Sequence, residues 1–320
     1  MKNVYAPLNP AEYKAKDKKI IACPSSLPLL SRHVSINIKL MGSTLAQKEI
    51  IRCPVAAGVF YPEDMAEALA EIQAFCPDTA EKGKAQAIIT PHGAWVISGP
   101  IAGAAFSAAA GRRGKITRVV ILGPIHDRRE EGLFLSTSHS FQTPLGMLAV
   151  DREISEQLEQ AGQFLQINDI PHLGEHSIEI LLPFVKYYFP EAAIIPILMG
   201  QPNMQMIDDL ANSLKTVFLP IMENTLFVIS CNLSIAGNHS QAKLMAEETL
   251  RLVYEKNGQE LVCASLEGKI NSCGVALVAS LLKSGLLENR QPRFIGENII
   301  SAVEVEAEGN TVFFGAVSFE

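Results

Sequence analysis

From Cys53 to the C-terminus, strand-like apolar runs alternate with amphipathic segments. This predicts an α/β fold with a mostly parallel or mixed central sheet covered by helices on both faces. Three observations carry the prediction. Runs such as Ala87-Ile88-Ile89 and Val119-Val120-Ile121-Leu122 are apolar without alternation, as strands buried on both faces are. Other segments carry apolar residues at helical spacing, for example Met65, Ala68, Leu69, Ile72 and Phe75. Two of the strand runs end in Gly/Pro turns that each hold a histidine, Thr90-Pro91-His92-Gly93-Ala94-Trp95 and Gly123-Pro124-Ile125-His126-Asp127. Strand ends of that kind are where α/β sheets gather ligand-binding groups.

Taken in order, the first helix is expected over 63–75, with acidic residues in its first turn. A strand at 87–90 leads through the His92 turn to a small-residue helix over about 100–110. A strand at 118–123 runs into the His126 loop, and a turn at 143–146 leads to a strand at 147–150. Asp151 then caps a helix that ends at Ala161. Gly174 precedes a helix carrying Glu175, His176 and Glu179, with Ile178, Leu181, Leu182 and Val185 as its buried face. Pro183 bends that helix or ends its first part. A strand at 193–198, a helix at 204–218, a strand at 226–230 and helices at 241–256 and 260–267 follow. Cys273-Gly274 opens a helix over 275–282, and 311–319 alternates as a final strand.

A chain of 320 residues with 48% hydrophobic residues can bury a large core. Residues 1–50 mix Lys, Ser and Pro with brief apolar runs and read as a mobile N-terminal extension, with Met41 an alternative start. Residues 51–320 read as one domain. The net charge is −7 without a dense Lys/Arg run, which argues against a nucleic-acid-binding face. The six cysteines contain no C-x-x-C pair, so reduced thiols and a cytoplasmic location fit better than a disulfide framework. The apolar run before Cys23 is too short for a signal peptide, and the long apolar stretch 96–110 is broken by Ser98-Gly99-Pro100 and Gly103, so no membrane segment is expected. Phosphate-binding glycine loops and a G-x-S-x-G nucleophile elbow are missing from the sequence.

Two imidazoles delivered to one sheet edge point to a metal or acid–base pocket; each could instead simply close a strand. Cys273, placed at a helix N-terminus, is expected to have a lowered pKa and to favour the metal-ligating thiolate, against the plain alternative of a small buried hydrophobe. Glu175 and Glu179, four apart, are expected on one helix face as solvated or hydrogen-bonded structural groups. His176 between them is the natural proton carrier if it faces the pocket. His33, His139 and His172 lack supporting neighbours and read as surface residues.

The ordered series Ala57-Gly58-Val59-Phe60-Tyr61-Pro62, Pro91-His92…Ser98-Gly99, Ile121-Leu122-Gly123-Pro124-Ile125-His126, Thr143-Pro144-Leu145-Gly146 and Glu175-His176-Ser177-Ile178-Glu179 resembles the Memo family, whose microbial members are called AmmeMemoRadiSam system protein B. The resemblance runs from about Arg52 to the C-terminus. It implies a three-layer α/β/α fold similar to class III extradiol dioxygenases, and a pocket in which His92, His126 and Cys273 hold iron or copper. It also implies association with an AMMECR1-type protein and a radical SAM enzyme. One segment departs from the family pattern. Where the family reads Ser-Ser-Asp-x-x-His, this chain reads Ser230-Cys231-Asn232-Leu233-Ser234-Ile235. Asn232 cannot accept a proton as a carboxylate does, and Ile235 can neither ligate nor carry one. His239 is a poor substitute because it is expected to start the next helix. Three readings therefore stand: redox or dioxygenase-like metal chemistry, a non-catalytic metal- or partner-binding member of the family, and a fold-only relative whose pocket binds a small ligand without metal.

Overall fold

The continuous apolar runs pair edge to edge in the computed structural model, which describes residues 49–75, 82–127, 130–301 and 309–320. The expected N-terminal extension, with Cys23, His33 and Met41, lies outside the described residues, as does Cys76. The chain begins with β1 (Ile51–Arg52), α1 (Met65–Phe75), β2 (Ala87–Thr90), α2 (Trp95–Ser107) and β3 (Arg118–Pro124). Next come β4 (Gly132–Leu135), β5 (Ser140–Thr143), β6 (Gly146–Ala149), α3 (Arg152–Ala161), β7 (Leu165–Ile167), α4 (Ile170–Gly174) and α5 (Leu182–Tyr188). The second half holds β8 (Ala193–Gly200), α6 (Met204–Phe218), β9 (Thr225–Ser230), β10 (Ser234–Ala236), α7 (His239–Tyr254), α8 (Gly258–Leu266), α9 (Val275–Lys283), β11 (Pro292–Ser301) and β12 (Thr311–Phe319).

The main sheet has the order β10-β12-β2-β9-β3-β8-β4-β7, with β11 paired to β12 beside that path. Its centre, β2-β9-β3-β8, is parallel, and β12 and β4 flank it antiparallel, so the sheet is mixed as expected. Alternate residues of each central strand feed two different cores. Ile89, Val120 and Leu122 pack under α3, α6, α8 and α9, whereas Ile88, Val119 and Ile121 pack under α1, α2 and α5. Burial on both faces is the reason these strands lack a polar alternation. The architecture is three layers, α/β/α.

Several expectations need correction. The α2 helix starts at Trp95 rather than near residue 100, with Pro100 inside it. The buried Trp95 indole N–H donates to the Ile180 carbonyl at 3.0 Å and fixes the first turn. Val96, whose carbonyl Pro100 leaves unpaired, lies on the exposed side of the helix, where water can satisfy that group. No continuous helix carries Glu175, His176 and Glu179. Glu175 is extended, a 3-10 turn covers Glu179–Leu181, and α5 opens at Leu182 with Pro183 in its first turn. The cause is local: the Glu175 carboxylate accepts the backbone N–H groups of His176 and Ser177, both at 2.8 Å, and turns the chain there. Strands β4, β5, β7, β10 and β11 carried too little pattern to be read from sequence. Four of them span three or four residues, and β11 opens on a proline and is bulged between Phe294 and Gly296.

Among the described residues no helix is long and apolar enough to cross a membrane.

Candidate metal centre

The sheet topology alone brings the two histidine turns together. Strands β2, β9 and β3 are neighbours, parallel, and in register, with Thr90 opposite Ser230 and Leu122 opposite Ile229. All three therefore end at one edge, and His92, Asn232 and His126 each sit two residues beyond their strand. Gly123 lets the loop 177–178 close over this edge: a Cβ there would lie 2.6 Å from Ile178 Cγ1 and 2.7 Å from Ser177 Oγ. The loop before α9 supplies Cys273 from the other side. Gly274 permits that approach, because a Cβ there would lie 2.6 Å from both the Ser230 carbonyl oxygen and Cys231 Cβ.

One ligand-type atom from each of His92, His126 and Cys273 lies within 4.8 Å of the others, and His126, Glu175 and His176 form a second such group that shares His126. Hydrogen bonds fix what each ring can offer. The single proton of the Ser230 hydroxyl goes to the Ser177 carbonyl at 2.6 Å. Ser230 Oγ can then only accept from His92 Nδ1, 2.8 Å away, so His92 keeps its proton on Nδ1. The lone pair of Nε2 faces Cys273 Sγ at 3.5 Å. His126 is held in the same manner by a carboxylate: its backbone N–H donates to Glu175 Oε2 at 2.7 Å and its Nδ1 faces Oε1 at 3.0 Å. Its other nitrogen is left toward Cys273. Two imidazoles, each anchored through Nδ1 by an acceptor, with Nε2 directed at a thiol, form a donor set that suits a metal.

The electrostatics of the metal-free cluster are those of crowded, opposed charges. Burial works against a charged ring at His126, but hydrogen bonds and attraction to Cys273 and Glu175 outweigh it and push its pKa up to about 10. Burial likewise opposes the Glu175 carboxylate, yet its contacts with the His126 ring and the surrounding backbone N–H groups bring it down to about 2. His176 moves the other way, lowered by burial and by the His126 charge despite Glu175. Cys273 corrects an expectation: it precedes the Gly274 N-cap of α9, and the neighbouring Cys231 thiol together with burial pushes it up. The His92 and His126 rings pull it back toward the thiolate.

His176 does face this group. Its ring stacks on His126 with centroids 4.8 Å apart and on Phe60 at the same separation, and it meets His92 edge-on at 6.2 Å. Glu175 and Glu179 are both buried and hydrogen-bonded, so of the two expected roles they fill the structural one and not that of a solvated helix face. Glu179 accepts from Arg52, from the backbone of Val55 and Ala56, and from Tyr61 Oη at 2.8 Å. Arg52 in turn donates to the carbonyls of His172 and Glu175 at 3.0 Å each, so this pair ties the 52–61 segment to the loop that carries the site. His172 is buried rather than on the surface. Its Nε2 donates to the Phe134 carbonyl at 3.1 Å, and burial lowers its pKa to about 4. His139 is half-buried, accepts from the Ile50 N–H at 3.0 Å and has no contact with the cluster. His239 is the exposed first residue of α7, as expected.

The departing segment also belongs here. Asn232 Oδ1 accepts the His92 N–H at 3.3 Å, and the Asn232 N–H donates to Cys273 Sγ at 3.4 Å. Asn232 thus braces two candidate ligands without offering a base. Ile235, on β10, helps line a cavity of about 570 Å³ that opens beside His126 and Cys273, together with Met245, Asn271 and Asn310. Sequence reading missed Ser230 as the anchor of His92, Glu175 as the anchor of His126, and Met245, Asn271 and Asn310 as cavity walls. Only the first two had a signal, in the strand end and in the Glu-His pair; a wall residue contributed by a distant helix or loop has none.

Residues 52–297 match the Memo-like protein family. A MEMO1 family protein of Thermotoga neapolitana is 29% identical over 273 residues, covering 81% of this chain and 98% of the relative. One from Nitrosopumilus maritimus is 25% identical over 73% of this chain and 86% of its own length, and one from Aquifex aeolicus is 29% identical over 70% and 82%. With the match spanning most of the described sheet and every residue of the cluster, the chain belongs to the Memo family.

Proposed function

We propose that this protein holds a redox-active metal, iron or copper, on His92 Nε2, His126 Nε2 and the Cys273 thiolate. The observation that carries this reading is the pair of anchored rings: Ser230 and Glu175 take up the Nδ1 positions and leave both Nε2 atoms aimed at one sulfur. Imidazole with thiolate is a donor set that iron and copper accept, and a three-ligand site has open positions for a further ligand. When bound, the metal would supply one-electron or oxygen chemistry at the mouth of the cavity that Ile235 and Met245 help line. The chain's own residues set what can accompany it. His176, stacked on His126, is the group available to take or give a proton, whereas Asn232 cannot. Glu175 orients His126, and Ile235 presents an apolar wall where the family pattern has a histidine.

The loss of the carboxylate at Asn232 favours a second reading, in which the site binds metal, or a protein partner, without turning over a substrate. By family association the partners would be an AMMECR1-type protein and a radical SAM enzyme; the widely spaced cysteines, with no disulfide framework, favour the cytoplasm. The test of the metal reading is elemental analysis of the full chain purified without oxygen, as wild type and as His92→Ala, His126→Ala and Cys273→Ala. Stoichiometric iron or copper that is lost in all three variants supports it. A wild type that neither carries nor takes up either metal refutes it. Turnover of oxygen by the loaded wild type, abolished by His176→Gln with metal retained, separates the catalytic reading from the binding one.

A further inference from the structure

A second thiol stands directly behind the candidate ligand Cys273. Cys231 follows β9, is 1% exposed, and is close enough for its thiol and that of Cys273 to shift each other's acidity. The backbone contacts show how closely the two chain segments are applied. A Cβ on Gly274, the residue after Cys273, would fall 2.6 Å from Cys231 Cβ and 2.9 Å from Cys231 Sγ. From the other strand, the N–H of Asn232, the residue after Cys231, donates to Cys273 Sγ at 3.4 Å. Each cysteine thus touches the neighbour of the other, which brings the two residues side by side in the fold. Neither is in a disulfide.

The two thiols differ in access. Cys273 is partly exposed and lines the cavity, so a small oxidant can reach it; Cys231 is sealed behind it. Ser272 Oγ gives its proton to the Asn232 carbonyl at 2.7 Å and so accepts from the Cys231 thiol at 2.9 Å, which holds that sulfur in place.

We propose that Cys273 and Cys231 form a reversible dithiol/disulfide pair, with Cys273 as the peroxide-reactive thiol and Cys231 as the resolving thiol. The oxidant is a hydroperoxide. Cys273 passes its proton to His92 Nε2, 3.5 Å away, and the thiolate so formed attacks one peroxide oxygen; the O–O bond breaks, and the departing oxygen is protonated to water or an alcohol, leaving Cys273 as the sulfenic acid. The Cys231 thiolate then attacks the Cys273 sulfur, the S–O bond breaks, and hydroxide leaves as water while the S–S bond forms. Two thiols lose two electrons and two protons, and one hydroperoxide is reduced. Formation of the disulfide is independent of any metal. Its consequence, removal of the thiolate from the His92–His126 site, rests on the metal reading proposed above.

The test uses the full chain, freed of metal with a chelator and treated with hydrogen peroxide, as wild type and as Cys231→Ser. Expected in the wild type is a mass decrease of two hydrogens and a Cys231–Cys273 cross-linked peptide, both reversed by dithiothreitol. Expected in Cys231→Ser is no cross-link and progression of Cys273 to the sulfinic acid, which dithiothreitol does not reverse. Equal sulfinic acid formation in the two proteins, or a wild-type disulfide that joins Cys273 to Cys53 or Cys263 instead, overturns the proposal. A separate titration of reduced and oxidised wild type with Fe(II) then reads the consequence: uptake falls by about tenfold or more on oxidation. Cross-linking with no uptake by either form leaves the disulfide standing and refutes the metal reading alone.

Discussion

Replacing Glu179 by Gln tests how the loop carrying the site is fastened. The Glu179 side chain is 1% exposed and is ion-paired with Arg52, itself 4% exposed. Oε1 accepts the Ala56 N–H at 2.7 Å and Tyr61 Oη at 2.8 Å, while Oε2 accepts from Arg52, and both oxygens lie 3.0 Å from the Val55 N–H. Every neighbour is a donor. A Gln side chain can serve one side of this set with its oxygen, but its amide N–H₂ then faces donors on the other side, and Arg52 is left as an unneutralised buried charge. Breaking a buried pair in this way costs about 3–5 kcal/mol, out of a typical domain stability of about 5–15 kcal/mol. The assay is urea unfolding of wild type, Glu179→Gln, Arg52→Met and the double variant. The two single losses should be large and the double loss clearly smaller than their sum, since removing either partner already breaks the pair. Single losses below about 1 kcal/mol, or additive ones, would refute the reasoning. A second readout follows from the same geometry: Phe60, on the segment that Glu179 tethers, stacks on His176, so the His176 ring signals in a nuclear magnetic resonance spectrum should shift or broaden in Glu179→Gln.

Three further outcomes follow from other contacts. His172 is buried as the neutral imidazole, with its pKa at about 4 against an ordinary value of about 6.5, so between those values the unfolded chain takes up a proton that the native one refuses. Its contribution is complete above pH 6.5 and is lost as the pH falls toward 4, by about 3 kcal/mol; His172→Gln, which keeps a donor for the Phe134 carbonyl, should show a correspondingly flatter loss of stability on acidification, and an unchanged slope would contradict this. Ser230→Ala removes the acceptor for His92 Nδ1 and leaves the ring free to turn, so metal affinity measured by competition with a chelator should fall about 10- to 100-fold without loss of fold; an unaltered affinity would show that the anchor is idle. Asn232→Asp combined with Ile235→His places a carboxylate beside His92 and an imidazole in the cavity wall, and should alter metal affinity or redox turnover; no change in either would mean that these positions do not share the pocket.

The parts of the fold that were legible in the sequence are those where one physical demand dominates. Strands β2, β3 and β9 lie in the sheet centre with both faces covered, so their runs are apolar throughout and end sharply at turn residues. Helices capped by a side chain were equally plain: Asp151 accepts the Ile154 N–H and opens α3, and Asn203 accepts the Met206 N–H and opens α6. The segment after Gly174 carries apolar residues at helical spacing, yet it is not one helix. There the Glu175 carboxylate competes for the backbone N–H groups, a demand created by the arrival of His126 from a distant strand end and invisible in local pattern. The burial of His172 is hidden for the same reason. Its partners are the Phe134 carbonyl and, through its own carbonyl, Arg52, residues far away along the chain. The site shows the same division. His92 and His126 stand out because they end strands, whereas the thiol acidity of Cys273 depends on Cys231 and two imidazoles that only the fold assembles.

The most direct test of the account is the coordination of the bound metal, read by X-ray absorption on full-length protein loaded with iron or copper and on Cys273→Ser. The account predicts one sulfur and at least two imidazole nitrogens around the metal in the wild type, with the sulfur contribution gone in Cys273→Ser. A wild-type spectrum fitted by oxygen and nitrogen neighbours alone, or one that Cys273→Ser leaves unchanged, would contradict it.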